Sequence, residues 1–305
     1  PDIVLFINGI PFCIIECKSP NIKEPLKQAI SQHLRNQQED GIRPLYKYAQ
    51  ILMSIADNQA RYATLGTPEK FWSHWEEKFN NKQDEEKYRE DLHALKNRKL
   101  PENEKEKLFG FNFRYLKSYF DALEQEEVLP TEQDVYLYGL CRPERLLELA
   151  FNYVLFDEGE KKIARYQQYI AVNKAMQKIS KIENGKRKGG VIWHTQGSGK
   201  SLTMVMLAQA IALDKSIRNP RIVLVTDRID LDEQITKTFR KCGMTVENAS
   251  TGKKLVEHLQ SSSDAVITTI INKFETAVKK IKQPLESPDI FVLVDEGHRS
   301  QYGIF

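Results

Sequence analysis

The chain has 305 residues, which is enough for two domains of ordinary size, each with its own hydrophobic core. Lysine and arginine (45) nearly balance aspartate and glutamate (42), so the net charge of +3 excludes a chain-wide attraction to polyanions and leaves nucleic-acid contacts to local basic grooves. Four cysteines without paired or metal-ligand spacing predict a reducing, cytoplasmic compartment. Without an apolar run near the ~18 residues of a membrane span, or a secretory signal, we expect no membrane association.

The chain opens with a pattern typical of a β-hairpin. Two apolar runs, Ile3–Ile7 and 10–15, flank Asn8 and Gly9, a pair that readily adopts the positive φ angles of a tight primed turn. A helical pattern follows at 24–38, and two later apolar runs resemble further strands. The sequence therefore predicts a mixed α/β module at the N-terminal end.

Three ionisable residues of this hairpin form the pattern of a metal-dependent nuclease. Asp2 lies fourteen residues before Glu16, and Glu16 and Lys18 share one face of their strand because side chains alternate. The hairpin folds Asp2 back beside them, so two carboxylates can bind Mg²⁺ while the ammonium group orients water or stabilises phosphorane charge. The pattern resembles that of PD-(D/E)xK nucleases. A surface ion pair is the alternative interpretation, although charge in an otherwise apolar strand would be costly without a role.

A change of composition along the chain indicates two modules joined by a linker. Charged residues dominate 76–107 and predict solvated helices. We expect a nuclease-like domain at 1–115, a helical linker at 116–160 and a second domain at 161–305. In the second domain, apolar strands alternate with helical stretches, which is typical of a parallel sheet built from βαβ units. The strands are expected at 190–193, 221–226, 265–270 and 290–294.

A glycine-rich loop between an apolar run and a helical run predicts a phosphate-binding loop. In such loops the backbone amides approach the phosphates, Lys200 reaches the β and γ oxygens, and the Ser201 hydroxyl can bind Mg²⁺. His194 stands where the strict pattern has a glycine, which matches the looser form of helicase-like motors. The candidate nucleotide-binding residues of the loop are Gln196, Gly197, Ser198, Gly199, Lys200 and Ser201.

The last apolar strand ends in two adjacent carboxylates, Asp295 and Glu296, followed by Gly297 and His298. Open α/β sheets bind ligands at the carboxyl ends of their strands. Asp295 would hold Mg²⁺ through water, Glu296 would polarise the attacking water, and His298 is a further candidate nucleotide contact. Together with the glycine-rich loop, these residues predict a site for ATP and Mg²⁺.

The loop and the carboxylate pair resemble motifs I and II of superfamily 2 helicases, whose motor lobes have a RecA-like parallel sheet. The resemblance implies two further roles. Gln167, within 165–168, would be the glutamine that reads adenine; an exposed helix residue is the alternative. Arg228, within 225–231, would contact the DNA backbone as part of motif Ia; an arginine that caps or pairs locally is the alternative.

The chain is similar to the restriction (R) subunit of type I restriction-modification enzymes. The similarity lies in the order of the modules and in the stretches 2–18, 193–201 and 295–303. The resemblance implies a type I site-specific deoxyribonuclease, in which ATP-dependent translocation of double-stranded DNA is coupled to Mg²⁺-dependent cleavage. It implies a specificity subunit and a methyltransferase subunit as partners. It also assigns Gln32 to the catalytic set, as the glutamine of a Gln-x-x-x-Tyr motif, although Asn36 stands where tyrosine is expected.

Two other functions stay open on the sequence. One is a different nuclease-helicase, such as a repair or type III-like protein. The other is a DNA-remodelling motor whose nuclease fold is not catalytic, although the presence of both Glu16 and Lys18 argues against it. Because the chain begins at Pro1 and ends soon after Glu296, we expect a piece of a longer protein whose second motor lobe is absent here.

Overall fold

The computed structural model describes residues 1–195, 197–260, 266–281 and 287–297. The chain forms two compact units that divide between Glu148 and Leu149. This division falls inside the span 116–160, where the sequence predicts a helical linker. Residues 117–148 of that span belong to the first unit.

The first unit contains a four-stranded sheet. Its strands, in chain order and in sheet order alike, are β1 (Ile3–Ile7), β2 (Ile10–Cys17), β3 (Ile51–Ala56) and β4 (Gln59–Ala63). β1 and β2 pair antiparallel, and Asn8 and Gly9 in their turn have φ angles of 49° and 78°. The predicted hairpin is therefore confirmed, with the positive φ angles that its Asn-Gly pair favours.

Two helices, α1 (Pro25–Asn36) and α2 (Arg43–Tyr46), connect β2 to β3. β2 and β3 run parallel, so the chain needs a crossover between them, and β4 returns antiparallel to β3. All six residues of β3 are buried. A core cluster of this unit draws on β2, β3, β4 and α1; its buried members are Ile14, Ile30, Tyr46, Ala49, Leu52, Ala63 and Trp72.

Helices follow the sheet. Those in the charged segment, as the sequence predicts, are α3 (Lys82–Lys96) and α4 (Glu102–Phe109). After them come α5 (Lys117–Leu123) and α6 (Glu132–Cys141), and α7 (Pro143–Asn152) crosses the division between the units. Leu92 is the buried residue of α3, and Asn81 caps this helix by accepting the Asp84 N–H at 2.8 Å. α6 packs against α3 and β4. The helices between 117 and 141 are therefore part of the first unit's fold.

The second unit alternates strands and helices. Its strands are β5 (Val154–Asp157), β6 (Glu160–Ile163), β7 (Ile182–Glu183), β8 (Lys186–Arg187), β9 (Arg221–Thr226), β10 (Val246–Asn248), β11 (Val266–Ile270) and β12 (Ile290–Val294). Its helices are α8 (Tyr166–Ile179), α9 (Lys200–Leu213), α10 (Ile229–Lys241), α11 (Gly252–Gln260) and α12 (Ile271–Lys280). Four of the strands form a sheet in the order β10-β11-β9-β12, and all of its pairs are parallel. The predicted parallel sheet is confirmed.

The expected strand at 190–193 is wrong: this segment has no regular structure. A strand is stable only where its backbone groups pair with a neighbour, and no described strand pairs with this segment. Its apolar side chains also lack a core, since Val191 and Trp193 are each 88% exposed. Across the described ranges, no helix has both the length and the apolar character needed to cross a bilayer.

Candidate functional site

The hairpin brings Asp2, Glu16 and Lys18 together at one end of the first sheet. Ile3 pairs with Ile15, so Asp2 lies opposite Glu16 across the strand pair. The Asp2 carboxylate accepts the Cys17 N–H at 2.7 Å, and the Lys18 Nζ donates to Glu16 Oε1 at 3.1 Å. The three residues predicted to form a nuclease centre are therefore neighbours.

Glu16 is the buried member of this group, with none of its side chain exposed. Its Oε1 accepts from Lys18, and its Oε2 lies 3.7 Å from the Pro1 amino group. Oε2 makes no hydrogen bond within the described part of the chain. A buried carboxylate is expensive unless it is fully paired or binds a metal. A buried carboxylate oxygen without a hydrogen bond, such as Oε2, therefore fits a cation ligand.

Ser54 of β3 is a polar neighbour that the sequence did not single out. Glu16 and Ser54 are register partners on parallel strands, so their side chains leave the same face of the sheet. The Ser54 hydroxyl is fully buried and also has no hydrogen-bond partner among the described residues. Mg²⁺ binds oxygen ligands, commonly one or two carboxylates together with water. Asp2, Glu16 and Ser54 therefore match Mg²⁺ in donor chemistry. No group of three or more His, Cys, Asp or Glu residues with metal-binding geometry occurs within the described ranges.

A buried histidine supports this face of the sheet. The Nε2 of His33 donates to the Met53 carbonyl oxygen at 2.9 Å, because a carbonyl can only accept, and Nδ1 therefore accepts from the Tyr46 hydroxyl at 3.0 Å. Burial lowers the pKa of His33 to about 4, so the ring is neutral at pH 7. The Asn36 amide reaches the same hydroxyl at 3.4 Å. Gln32 lies half-buried on α1 and makes no hydrogen bond to either carboxylate or to Lys18 in the described structure.

In the second unit, the glycine-rich loop leads into α9 at Lys200. Gly197 and Gly199 have φ angles of 75° and 84°, which favour glycine. The Nε2 of Gln168 donates to the Gly199 carbonyl oxygen at 3.2 Å, and a Cβ at position 199 would lie 2.8 Å from that nitrogen. Gln168 is buried whereas Gln167 is exposed. α8 therefore turns Gln168 towards the loop, while Gln167, the residue predicted to read adenine, lies exposed one position earlier.

The carboxylate pair after β12 faces the same loop. Lys200 Nζ donates to Glu296 Oε1 at 2.7 Å, which links the start of α9 to the end of β12. The Asp295 N–H donates to the Val225 carbonyl oxygen at 2.9 Å. Burial raises the pKa of Asp295. The predicted phosphate-binding lysine and the predicted water-polarising carboxylate are therefore in direct contact.

The other predicted residues of this site are less constrained. Ser201 lies in the first turn of α9 and is half-buried. The Ser198 hydroxyl donates to the Thr195 carbonyl oxygen at 2.6 Å and lies 3.3 Å from His194 Nδ1. Burial and the Lys200 charge lower the pKa of His194. Two predicted contacts lie outside the described residues: Gln196 and His298.

Arg228 follows β9 at the carboxyl edge of the parallel sheet. Its side chain is 59% exposed, and its Nε lies 3.8 Å from Asp227 Oδ2. It makes no side-chain cap to α10. An exposed guanidinium in a loose pair with its neighbour can exchange that partner for a phosphate at little cost.

Comparison with known proteins finds family matches in both units. Residues 1–71 match the family "Type I restriction enzyme R protein N terminus", and residues 167–305 match "SWI2/SNF2 ATPase". The type I restriction enzyme HindI endonuclease subunit of Haemophilus influenzae is 33% identical, over 99% of this chain and 26% of its own length. The MjaIXP endonuclease subunit of Methanocaldococcus jannaschii is 30% identical, over 99% of this chain and 27% of its own length. The chain thus spans about a quarter of these relatives. Over nearly its whole length, this chain is similar to type I restriction enzyme endonuclease subunits.

Proposed function

We propose that the protein carrying this chain is a cytoplasmic, ATP-dependent DNA translocase and endonuclease, the R subunit of a type I restriction-modification enzyme. Its partners are double-stranded DNA, a specificity subunit and a methyltransferase subunit. The observation that carries the proposal is the presence of two separate polar centres in one chain. One centre is the group Asp2, Glu16 and Lys18, and the other is the ion pair between Lys200 and Glu296.

In the first unit, the proposed chemistry is that of a PD-(D/E)xK nuclease. Asp2 and Glu16 would hold Mg²⁺, which when bound supplies positive charge to the scissile phosphate. Lys18 lies against Glu16 on the exposed side of the pair, with 20% of its side chain accessible. Its ammonium group can therefore orient the attacking water and stabilise charge that develops on the phosphate. Gln32 on α1 is proposed as an auxiliary residue of this centre.

In the second unit, the proposed fold is a RecA-like motor lobe that binds ATP with Mg²⁺ at the glycine-rich loop. Amides at the start of α9 point towards bound phosphates, and Gly197 to Gly199 allow the backbone to approach them closely. Lys200 would exchange Glu296 for the β and γ phosphate oxygens. Glu296 would accept a hydrogen bond from the attacking water, while Ser201 and Asp295 are the groups that would hold Mg²⁺.

The remaining predicted residues of the second unit also have proposed roles. Gln168 fixes the carbonyl of Gly199 and thereby the path of the loop. Gln167 is proposed to read the adenine, and Ser198, Gln196 and His298 are proposed to contact the nucleotide. Arg228 is proposed to contact the DNA backbone, since its guanidinium is exposed and only loosely paired.

The two centres can be separated by substitution in the protein that carries this chain, assembled with its partner subunits. Lys18→Ala is expected to abolish DNA cleavage while DNA-stimulated ATP hydrolysis continues. Lys200→Ala is expected to abolish both, because cleavage depends on translocation. The exposed lysines Lys23 and Lys215 provide matched Lys→Ala controls. Cleavage of circular DNA at the unsubstituted rate by the Lys200→Ala protein would refute the coupling, and undiminished cleavage by the Lys18→Ala protein would refute the nuclease centre.

A further inference from the structure

Ser54 is an anomaly within its strand. The other residues of β3 are apolar, and all six positions are buried. A buried hydroxyl normally finds a protein or water partner. Thr64, equally buried in the same unit, donates to the Gln50 carbonyl oxygen at 2.9 Å. The Ser54 hydroxyl has no such partner within the described residues, so packing alone does not account for a polar side chain at this position.

The strand pairing of Ser54 shows which face of the sheet its side chain leaves. Ser54 pairs with Glu16 on β2 and with Arg61 on β4, so the three side chains leave one face of the sheet. Arg61 Nη1 donates to the Ala60 carbonyl oxygen at 2.8 Å, which occupies that nitrogen on its own strand. Glu16, by contrast, keeps a buried oxygen, Oε2, without a hydrogen bond. Two unsatisfied buried oxygens therefore lie on adjacent strands of the same face.

A donor and an acceptor arranged in this way fit a bound water molecule. Buried water typically makes two to four hydrogen bonds to groups that are otherwise unsatisfied. Ser54 can both donate and accept, whereas the Glu16 carboxylate only accepts. Mg²⁺ in proteins retains several waters. We propose that Ser54 is a positioning residue of the metal site, whose hydroxyl, together with Glu16 Oε2, holds a water of the Mg²⁺ hydration shell. This inference rests on the nuclease centre proposed above.

The test measures metal binding rather than activity, and every protein compared carries Asp295→Asn, which removes a carboxylate of the second proposed Mg²⁺ site. Mn²⁺ serves as the probe, because its free and bound forms differ in electron paramagnetic resonance and it shares the oxygen-ligand preference of Mg²⁺. Ser54→Ala is expected to weaken Mn²⁺ binding about 10–100-fold, the usual effect of removing a group that supports a metal ligand. The metal-free Tm should not fall, because the substitution removes an unsatisfied buried hydroxyl. Ser73→Ala, which removes a half-buried hydroxyl away from Glu16, is the matched control and should leave Mn²⁺ affinity unchanged.

The outcomes distinguish this inference from the proposed nuclease centre. If Ser54→Ala binds Mn²⁺ as tightly as the unsubstituted chain while Glu16→Gln binds it weakly, Ser54 has no role at the metal and the centre itself survives. A lower metal-free Tm with unchanged affinity would show that Ser54 only supports packing. If the unsubstituted chain and Glu16→Gln bind Mn²⁺ equally, or neither binds it, both proposals fail. Should the alanine variant not fold, Ser54→Cys retains the side-chain volume, and undiminished affinity in that variant overturns the inference.

Discussion

The buried histidine of the first unit makes its stability depend on pH. The pKa of His33 falls from an ordinary 6.5 to about 4 on folding because the ring is buried. Below pH 6.5 the unfolded chain therefore binds a proton that the folded chain resists, so stability that is present above 6.5 is lost as the pH falls towards 4. Each pKa unit corresponds to about 1.4 kcal/mol, so the full shift is worth about 3 kcal/mol. Between pH 7 and pH 4.5 we expect His33 to remove about 2 kcal/mol of the unfolding free energy.

The assay is urea unfolding at pH 7 and pH 4.5, followed by tryptophan fluorescence in a Trp193→Phe background. Trp72 reports directly on the site, since its ring centroid lies 5.3 Å from that of His33. His33→Gln keeps a side-chain donor but cannot titrate. Between pH 7 and pH 4.5 the free energy of unfolding of this variant should therefore fall by about 2 kcal/mol less than that of the parent. His93→Gln, at a half-exposed position beside Glu127, is the control and should behave as the parent does. Equal pH dependence of the parent and His33→Gln would refute the assignment of a neutral buried ring.

Three further predictions concern the second unit. Gln168→Ala should weaken binding of a fluorescent ATP analogue at least about tenfold, because it removes the hydrogen bond to the Gly199 carbonyl oxygen, and undiminished binding would show that this bond does not hold the loop. Gly199→Ala should cost about 1–2 kcal/mol from its left-handed backbone alone, and displacement of Gln168 adds to this, so unaltered affinity for the same analogue would count against the loop geometry. Arg228→Ala should lower the salt dependence of DNA binding by about one unit of slope, and an identical slope would exclude a phosphate contact.

The features that the sequence predicted depend on local spacing. An Asn-Gly pair between two apolar runs determines the turn of the first hairpin and the register next to it. That register alone would place Asp2 opposite Ile15, and a β-bulge between Leu5 and Phe6 shifts the pairing by one residue and brings Asp2 opposite Glu16. The glycine-rich loop is similarly local, because its glycines and Lys200 are consecutive and the following run is helical.

The features that were missed depend on partners distant in the chain. The role proposed for Ser54 depends on its pairing with Glu16, which requires the parallel register of β2 and β3. The contact of Gln168 with the loop depends on the rotation of α8 about its axis, which the four-residue pattern at 165–168 does not determine. The apolar run at 190–193 had the composition of a strand, but a strand also needs a pairing neighbour.

The alternation of side chains along β2 gives insertions and deletions unequal effects in this hairpin. Ile14 and Glu16 leave one face of the strand, while Cys13 and Ile15 leave the other. Extra residues between the two strands lengthen a solvent-exposed turn and leave both faces in place. Loss of one residue within β2 instead exchanges the faces, so the carboxylate moves to the side of the sheet now occupied by Ile15. Natural length variation in proteins of this kind should therefore concentrate at the turn and be rare within the strand. A tag or label can accordingly be inserted at the turn, whereas β2 does not tolerate a change of length.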